Sequence, residues 1–586
     1  MKKIINICEN RWVINLTIVL GFAILTIFQI KPFFETHTIF VSSDFTFHAS
    51  RVQEIYDNLK QGSIFTFIAT HTFQNTGVGN FLFYPTVFLY PWAILKLFFS
   101  ATTAFFIWYG GITFLTFINS YISMNSICGD RIRAIVFSIL YTYLPYRLYL
   151  GKAIFGEYIA VSFVPLAFWG LYEVLCRRNN RWWLLGIGYA LIAYSHLLSV
   201  VIITEISFLL FALYIVFNKG ISFKRVVSIL KAVVLFLLLI SFEIAPFLTD
   251  YVGKNIYATY NGVSFGLLRS FSQVVSASFN MSSADGWSLG FIIGITLFVG
   301  VLFLNSKLNI VSYLMFIILA IISTSYIIWS HLNGTPFSII QLPVRYLTYA
   351  GYFGAVVASL GISRMTSKWY IERKLYIAIV IVLFLTAGLY IRVTSQPTLI
   401  LINQTPLLNK TSSGFTTIPD PTKVNNKNYD EIFNYMVLYG ETDYYPIKAH
   451  GKNGGFDESK LKAKSIIENR LYVNGKDTKY VSKKLPNKIT YKLTVEKNDL
   501  INLPIIPYKG TVVSSKGQRI NYEMSSRGTI RFRAKTKIHK ITVEYKPSSY
   551  YFAGIVISFA AWVYVLVMIS NELIKRQYKN SKPKIE

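Results

Sequence analysis

The sequence predicts an α-helical polytopic membrane protein of about twelve spans, with a small β-rich extracytoplasmic domain before the last one. Three observations predict it. Of the 586 residues, 53% are hydrophobic, 16% aromatic and only 15% charged, which is too apolar for a soluble globular chain. Uncharged runs of roughly 17–25 residues, the length that crosses a hydrocarbon core, recur along the sequence. A single long polar stretch, 393–548, interrupts them, and one more apolar run follows it.

The candidate spans are 13–30, 101–122, 134–150, 157–175, 182–199, 200–217, 226–249, 289–304, 308–329, 346–363, 375–392 and 550–570. The stretch 81–99 is also apolar, but Pro85 and Pro91 each remove a backbone donor, so it reads as a bent segment dipping into the outer leaflet. The N-terminal run follows Lys2, Lys3 and Arg11 and leads into Lys31-Pro32-Phe33-Phe34 instead of a small-residue cleavage site, as expected of a retained anchor.

The net charge of +30 suggests basic cytoplasmic loops before it suggests nucleic acid. Arg177, Arg178 and Arg181, then Lys219, Lys224 and Arg225, then Arg364, Lys368, Arg373 and Lys374, and finally Lys575 and Arg576 mark that side, with both termini on it. Cys8, Cys128 and Cys176 all fall there too, which leaves the outer pieces without a disulfide. Three sizeable pieces are then outside: 31–100, 250–288 and 393–548. The expected division is a membrane domain over 1–392, the β-rich domain over 393–548, and the last helix with a basic tail over 549–586.

The β-rich expectation rests on period-two alternation in Thr529-Ile530-Arg531-Phe532-Arg533 and Lys540-Ile541-Thr542-Val543-Glu544-Tyr545, with turns at Lys516-Gly517 and Arg527-Gly528. The region carries 26 Lys and Arg against 13 Asp and Glu. Such an excess suits an anionic polymer or anionic headgroups.

Polar residues that could carry chemistry cluster at the outer ends of the spans. Asp44, His48 and Arg51 stand at i, i+4 and i+7 of a helix whose apolar side, Phe45, Val52, Ile55 and Leu59, is expected to lie on the membrane. Asp44 either offers its carboxylate at the membrane surface or caps the helix. Arg147, Lys152 and Glu157 follow around the next outer turn, where Glu157 either belongs to a site or favours the positive end of a helix dipole. His196 occupies an outer hairpin turn, facing substrate or satisfying a carbonyl, and Arg345 in Gln341-Leu342-Pro343-Val344-Arg345 is placed to meet a lipid phosphate or anchor the headgroup region. The sequence has no phosphate-cradling glycine loop, no His-Glu-x-x-His, no Gly-x-Ser-x-Gly and no paired Cys-x-x-Cys, so nucleotide hydrolysis, zinc proteolysis and serine hydrolysis lack their usual parts. Nothing in it supports nucleic-acid chemistry.

One span, an outer loop with an acid on its helix, many further spans and an outer C-terminal domain together resemble the GT-C superfamily of polyprenyl-phosphate-sugar-dependent glycosyltransferases. More narrowly, Ser43-Asp44-Phe45-Thr46-Phe47-His48-Ala49-Ser50-Arg51, Phe83-Tyr84-Pro85, Leu144-Pro145-Tyr146-Arg147, Gly156-Glu157, Ser195-His196, Gln341-Leu342-Pro343-Val344-Arg345 and Leu503-Pro504-Ile505-Ile506-Pro507-Tyr508-Lys509-Gly510 look like bacterial YfhO-type membrane proteins. Some of these carry the label 6-pyruvoyl-tetrahydropterin synthase-related, but the scattered histidines here do not have a zinc set's spacing. The resemblance implies sugar transfer from an undecaprenyl-phosphate-linked donor to a cell-envelope glycopolymer or glycolipid such as a teichoic acid. Asp44 would be the base, Glu157 its support, and His48, Arg51, Arg147, Lys152, His196 and Arg345 would bind substrate. It further implies a lipid-sugar synthase and a flippase as partners. Many GT-C enzymes carry two adjacent acids in the first loop, whereas Phe45 follows Asp44 here, so a divalent metal is in doubt and no metal ligands are assigned. The arginine motif departs too, with Leu-Pro-Val-Arg where relatives lead one to expect an aromatic. A flippase or transporter of a lipid-linked saccharide, or a non-catalytic envelope scaffold, remains the alternative.

Overall fold

A computed structural model describes residues 11–177, 181–256, 262–281, 283–284, 286–367, 376–411, 414–450 and 464–581. Lys2, Lys3, Cys8, Arg178, Lys368, Arg373 and Lys374 lie outside the described residues, as do the side chains of Lys575 and Arg576. Six described helices are long and apolar enough to cross a membrane: Trp12–Phe34, Ala101–Cys128, Phe155–Leu175, Leu197–Asn218, Val380–Gln404 and Ser549–Ile574. Phe223–Leu239 with Ser241–Tyr251, and Lys307–Ile322 with Tyr326–Leu332, qualify only as pairs bent by 68° and 71°, which brings the number to as many as eight. The chain is therefore a polytopic α-helical membrane protein, with six to eight such helices among the described residues.

The difference from about twelve spans has local causes. The run 134–150 breaks before Pro145, which starts a new helix, so Arg131–Thr142 and Pro145–Ala153 replace one span. The run 182–199 yields Trp183–Ala193, whose 11 residues reach only about 17 Å. Within 289–304, Phe291–Val299 tightens into a 3₁₀ turn at Gly300–Phe303. Tyr346–Ser367 is long, but buried Thr348, Ser359 and Ser363 dilute its apolarity, and it packs among other helices. The 81–99 stretch, which is not among the twelve, forms only Asn80–Phe83, a single 3₁₀ turn and Tyr90–Leu95, all too short to cross. Where helices do start and stop, capping explains it. The Ser100 hydroxyl accepts the Thr103 N–H to begin Ala101–Cys128, Gly129 ends that helix at φ 70°, and Asp130 then caps Arg131–Thr142.

The β-rich region before the last helix holds two five-stranded antiparallel sheets. One is built around the pairing of Lys488–Val495 with Ile538–Tyr545; the other has Leu500–Asn502 between Ile530–Arg533 and Tyr472–Val473. Ile541, Val543 and Tyr545 point inward as alternation expects, and Lys516-Gly517, at φ 48° and 81°, makes the turn of a hairpin. A compact apolar core from Leu471 to Val543 belongs to these sheets alone. Residues 408–449 pack instead with the first outer loop, where Ile39–Val41 pairs with Thr422–Val424.

Tyr508 ties the two outer regions together. Its hydroxyl accepts the Gly79 N–H and donates to the Tyr444 carbonyl, both at 2.9 Å. Tyr508→Phe leaves those two backbone groups without this partner at a site where the side chain is 5% exposed. We expect a loss of about 1–3 kcal/mol in outer-region stability, measurable by limited proteolysis with increasing denaturant. An unchanged midpoint would remove the clamp.

The first-loop helix, Phe45–Lys60, forms where expected but does not lie half-exposed on a membrane. Every residue from Phe45 to Val52 is buried, because the 81–99 segment and the C-terminal outer region cover the face expected to meet water. On this helix Glu54 is fully buried and accepts the backbone N–H groups of Thr70, His71 and Thr72, each at 2.8 Å. Its Oε1 also stands 3.1 Å from His71 Nδ1. Burial pushes the Glu54 carboxyl up, but the His71 side chain and these N–H groups outweigh it, so the net shift is downward. Burial pushes His71 down, yet Glu54 outweighs it and the net shift is upward. The Glu54 contribution is therefore complete above its unfolded value and disappears as pH falls through its lowered folded value. That of His71 is complete below its unfolded value and disappears as pH rises through its raised one. Amide exchange at Thr70–Thr72 should be slowest between these limits in native-state hydrogen exchange, and pH-independent opening free energy would contradict the pairing.

The polar ends of the helices fall on two opposite sides. Tyr551 and Glu572 are 21 residues apart on the last helix, or about 32 Å, close to the thickness of a hydrocarbon core. Glu572 pairs with Arg181, whose neighbours Arg177 and Glu173 complete a network on that side. Glu157, His196 and Arg345 gather on the other.

Candidate active site

Asp44 is held at the start of the first-loop helix by a strained approach. Ser43 sits at φ 51°, a conformation costing a non-glycine residue about 1–3 kcal/mol, and the Asp44 N–H donates to the Ala153 carbonyl at 3.1 Å. The carboxylate makes no capping hydrogen bond, so the role of a simple N-cap does not describe it. It is partly accessible, whereas His48, Glu157, His196 and Arg345 around it are buried. Burial pushes it up to about 6, with Arg345 opposing and Asp443 adding to the rise. Asp443 is itself pushed up to about 6 by burial.

Behind Asp44 is an ion pair. Glu157, 1% exposed in the first turn of Phe155–Ala160, has its Oε2 3.4 Å from Arg345 Nε. Pro343 opens the turn that delivers Arg345, preceded by Gln341 at φ 61°, and Arg345 Nη1 donates to the Ile340 carbonyl at 2.6 Å. Both Glu157 carboxylate oxygens are sealed from water without a well-formed hydrogen bond. Neither helix dipole nor headgroup anchoring alone accounts for these two residues, since each faces the other inside the protein.

Two imidazoles and a phenol form the adjoining wall. The His48 ring lies 5.6 Å from that of Tyr84 and 6.1 Å from that of Phe155, and Tyr84 lies 6.1 Å from His196. His196 Nδ1 is 2.8 Å from Ser199 Oγ. Burial, then the charge of Arg51, holds His48 well below the usual histidine range, so it is neutral near pH 7, and its Nδ1 is buried without a partner. The wall closes tightly over Gly156, where a Cβ would stand 2.4 Å from the Tyr84 hydroxyl and 3.0 Å from His196 Cδ2.

Of the eight residues singled out in the sequence, five therefore converge: Asp44, His48, Glu157, His196 and Arg345. The other three are engaged by other partners. Arg51 Nη2 donates to the Tyr84 and Pro85 carbonyls, both at 2.7 Å, with its guanidinium over the Phe47, Phe81 and Tyr84 rings, so it clamps the bent 81–99 segment to the helix. Arg147, fully buried, donates to Thr142 and Thr116 and lies 4.7 Å over the Tyr158 ring. Lys152 donates to the Ala284 carbonyl at 2.9 Å and lies over Tyr149.

Three groups near Asp44 escaped sequence reasoning. Tyr149 and Tyr439 both feel its charge, and Asp443 arrives from about 400 residues downstream. The signal for Asp443 was Glu441-Thr442-Asp443, a pair of acids beside Tyr444 and Tyr445 in a strongly basic region. Among the described residues no three His, Cys, Asp or Glu side chains form a ligand group, and Glu157 already faces Arg345.

No protein-family model matches the chain, and no curated protein matches it. Among solved structures it is similar to the cryo-EM structure of the arabinofuranosyltransferase AftD from mycobacteria, with 10% identity and a TM-score of 0.44 over 92% of this chain. The chain spans 40% of the length of that protein.

Proposed function

We propose that the protein is a GT-C-type membrane glycosyltransferase that transfers a sugar from an undecaprenyl-phosphate-linked donor to a hydroxyl of an extracytoplasmic cell-envelope glycopolymer or glycolipid. The observation that carries this reading is the uncapped, partly accessible Asp44 carboxylate beside the enclosed Glu157–Arg345 pair, at one end of the helices. A base and a cation in one place suit a reaction that removes a proton from one reactant and leaves negative charge on the other. Membrane placement lets a lipid-borne donor meet a water-borne acceptor.

In this mechanism Asp44 takes the acceptor hydroxyl's proton while its oxygen attacks the anomeric carbon. The anomeric C–O bond to phosphate breaks, the electron pair leaves on the phosphate oxygen, and the configuration inverts. Arg345 meets the charge that grows on the leaving phosphate, and Glu157 holds the guanidinium in position. Neutral His48 and His196, with Tyr84, hydrogen-bond sugar hydroxyls. The excess of basic residues in 393–548 raises the local concentration of an anionic acceptor such as a teichoic acid. Both termini and the basic loops are then cytoplasmic, where a lipid-sugar synthase charges the carrier before a flippase turns it outward.

The test is to incubate reconstituted protein with radiolabelled undecaprenyl-phosphate sugars and envelope polymer. Label appearing in polymer through a new glycosidic bond supports the reading. Label crossing the bilayer on an unchanged lipid, with no bond formed, would identify a flippase instead.

A further inference from the structure

A cavity of about 470 Å³ opens at the end of the bundle opposite Asp44. Its place follows from the helices that build it. Phe155–Leu175 carries Glu157 at one end and Leu171 and Leu175 of the cavity at the other, and Leu197–Asn218 carries the cavity residue Asn218 at the far end from His196. The walls include Phe168, Leu171, Leu210 and Val311, while Arg133, Arg225 and Lys307 supply cations and no carboxylate among the described residues lines it.

No acid forms an ion pair with these cations among the described residues, although Asp130 is near enough to Arg133 to act on its charge. Arg133 is 9% exposed and donates to the Val356 carbonyl at 3.3 Å, but its Nε is sealed without a partner. The nearest acid, Asp130, caps the Arg133 backbone and accepts from Ser363. Arg225, half-buried, lies over Tyr214 and also has an unpartnered, buried Nε. Lys307 donates to the Phe217 carbonyl, at 3.1 Å. Glu173, the other acid nearby, is engaged by Trp169, Arg177 and Arg181. None of the three cations forms an ion pair among the described residues. A buried guanidinium nitrogen without an acceptor is costly, and two of them bordering one apolar cavity call for an anion.

We propose that this cavity binds the phosphate group of an anionic membrane lipid, held by Arg133, Arg225 and Lys307, with its chains lying along Phe168, Leu171, Leu210 and Val311. A lipid fits better than a free anion because the walls beneath the cations are apolar and the cavity sits among membrane helices, and basic pockets between helices are a recurrent way of holding such headgroups. The site is independent of the glycosyltransferase reading and stands or falls without it.

The experiment titrates the purified full chain in detergent with dioctanoyl phosphatidylglycerol, dioctanoyl phosphatidylcholine and inorganic phosphate, reading adducts by native mass spectrometry and stability by thermal melting. Arg133→Gln, Arg225→Gln and the exposed control Lys540→Gln are compared with wild type. We expect saturable phosphatidylglycerol binding with a raised melting temperature, weakened about tenfold by either arginine substitution and unchanged in the control. Phosphatidylcholine should bind more weakly. Equal effects from inorganic phosphate would overturn the lipid assignment in favour of a free-anion site. Absence of saturable binding, or binding unaltered by Arg225→Gln, would overturn the site itself. Arg225 is at the half-exposed rim, so its variant remains informative should Arg133→Gln fail to fold.

Discussion

Asp44→Asn is expected to lower sugar transfer by about 10²–10⁴-fold while the protein melts at or above the wild-type temperature. Asparagine matches the carboxylate in shape but cannot take a proton. It also removes a charge that burial and Asp443 disfavour, so folding should not suffer. The pH profile gives an independent check. A base pushed up to about 6 is protonated below that pH, so the wild-type rate should climb as pH rises through about 6 and then level. Removing Asp443 takes away one of the causes of the rise, and Asp443→Asn should move that limb to lower pH. Wild-type turnover by a folded Asp44→Asn protein would eliminate Asp44 as the base, and an unshifted limb in Asp443→Asn would separate the two carboxylates.

The second large effect concerns the Glu157–Arg345 pair. Either Glu157→Gln or Arg345→Gln leaves a charge buried without its partner, and each should destabilise the protein by about 3–5 kcal/mol. The double substitution removes both charges of the pair and should recover much of that loss, a coupling that a double-mutant cycle measures directly. Activity should behave differently. Arg345→Gln removes the cation that faces the leaving phosphate, so transfer should fall by about 10²–10³-fold, and restoring stability in the double variant should not restore it. Additive stability changes would show that the two residues do not act as a pair. Recovery of transfer in the double variant would reduce Arg345 to a structural role.

Much of the membrane architecture is legible in composition alone. Every candidate apolar run coincides with helix somewhere in its length, because uncharged residues in such runs can be covered only by lipid or by other helices. Length and continuity are less legible. Pro145 and the bends after Leu239 and Ile322 divide runs that hydropathy counts as single spans, since apolarity is summed over a window and is blind to where the backbone turns. The alternating strands around Phe532 and Val543 were legible for a similar reason, as period two reports local geometry.

For the site, the sequence determined which groups were available and on which end of the helices they would emerge. Glu157, His196 and Arg345 each stand at the end of an apolar run, where a charge is tolerated, and Asp44 lies in the first outer loop. Only the tertiary structure decided which of them meet. Arg51 and Arg147 carry the same charge in similar surroundings as Arg345, yet one clamps the Tyr84 and Pro85 carbonyls, another is enclosed by Thr116, Thr142 and Tyr158, and Arg345 alone of the three faces Glu157. Asp443 joins Asp44 from the far end of the chain. A guanidinium or carboxylate is directed by whichever partner long-range packing places beside it, and no local spacing encodes that choice.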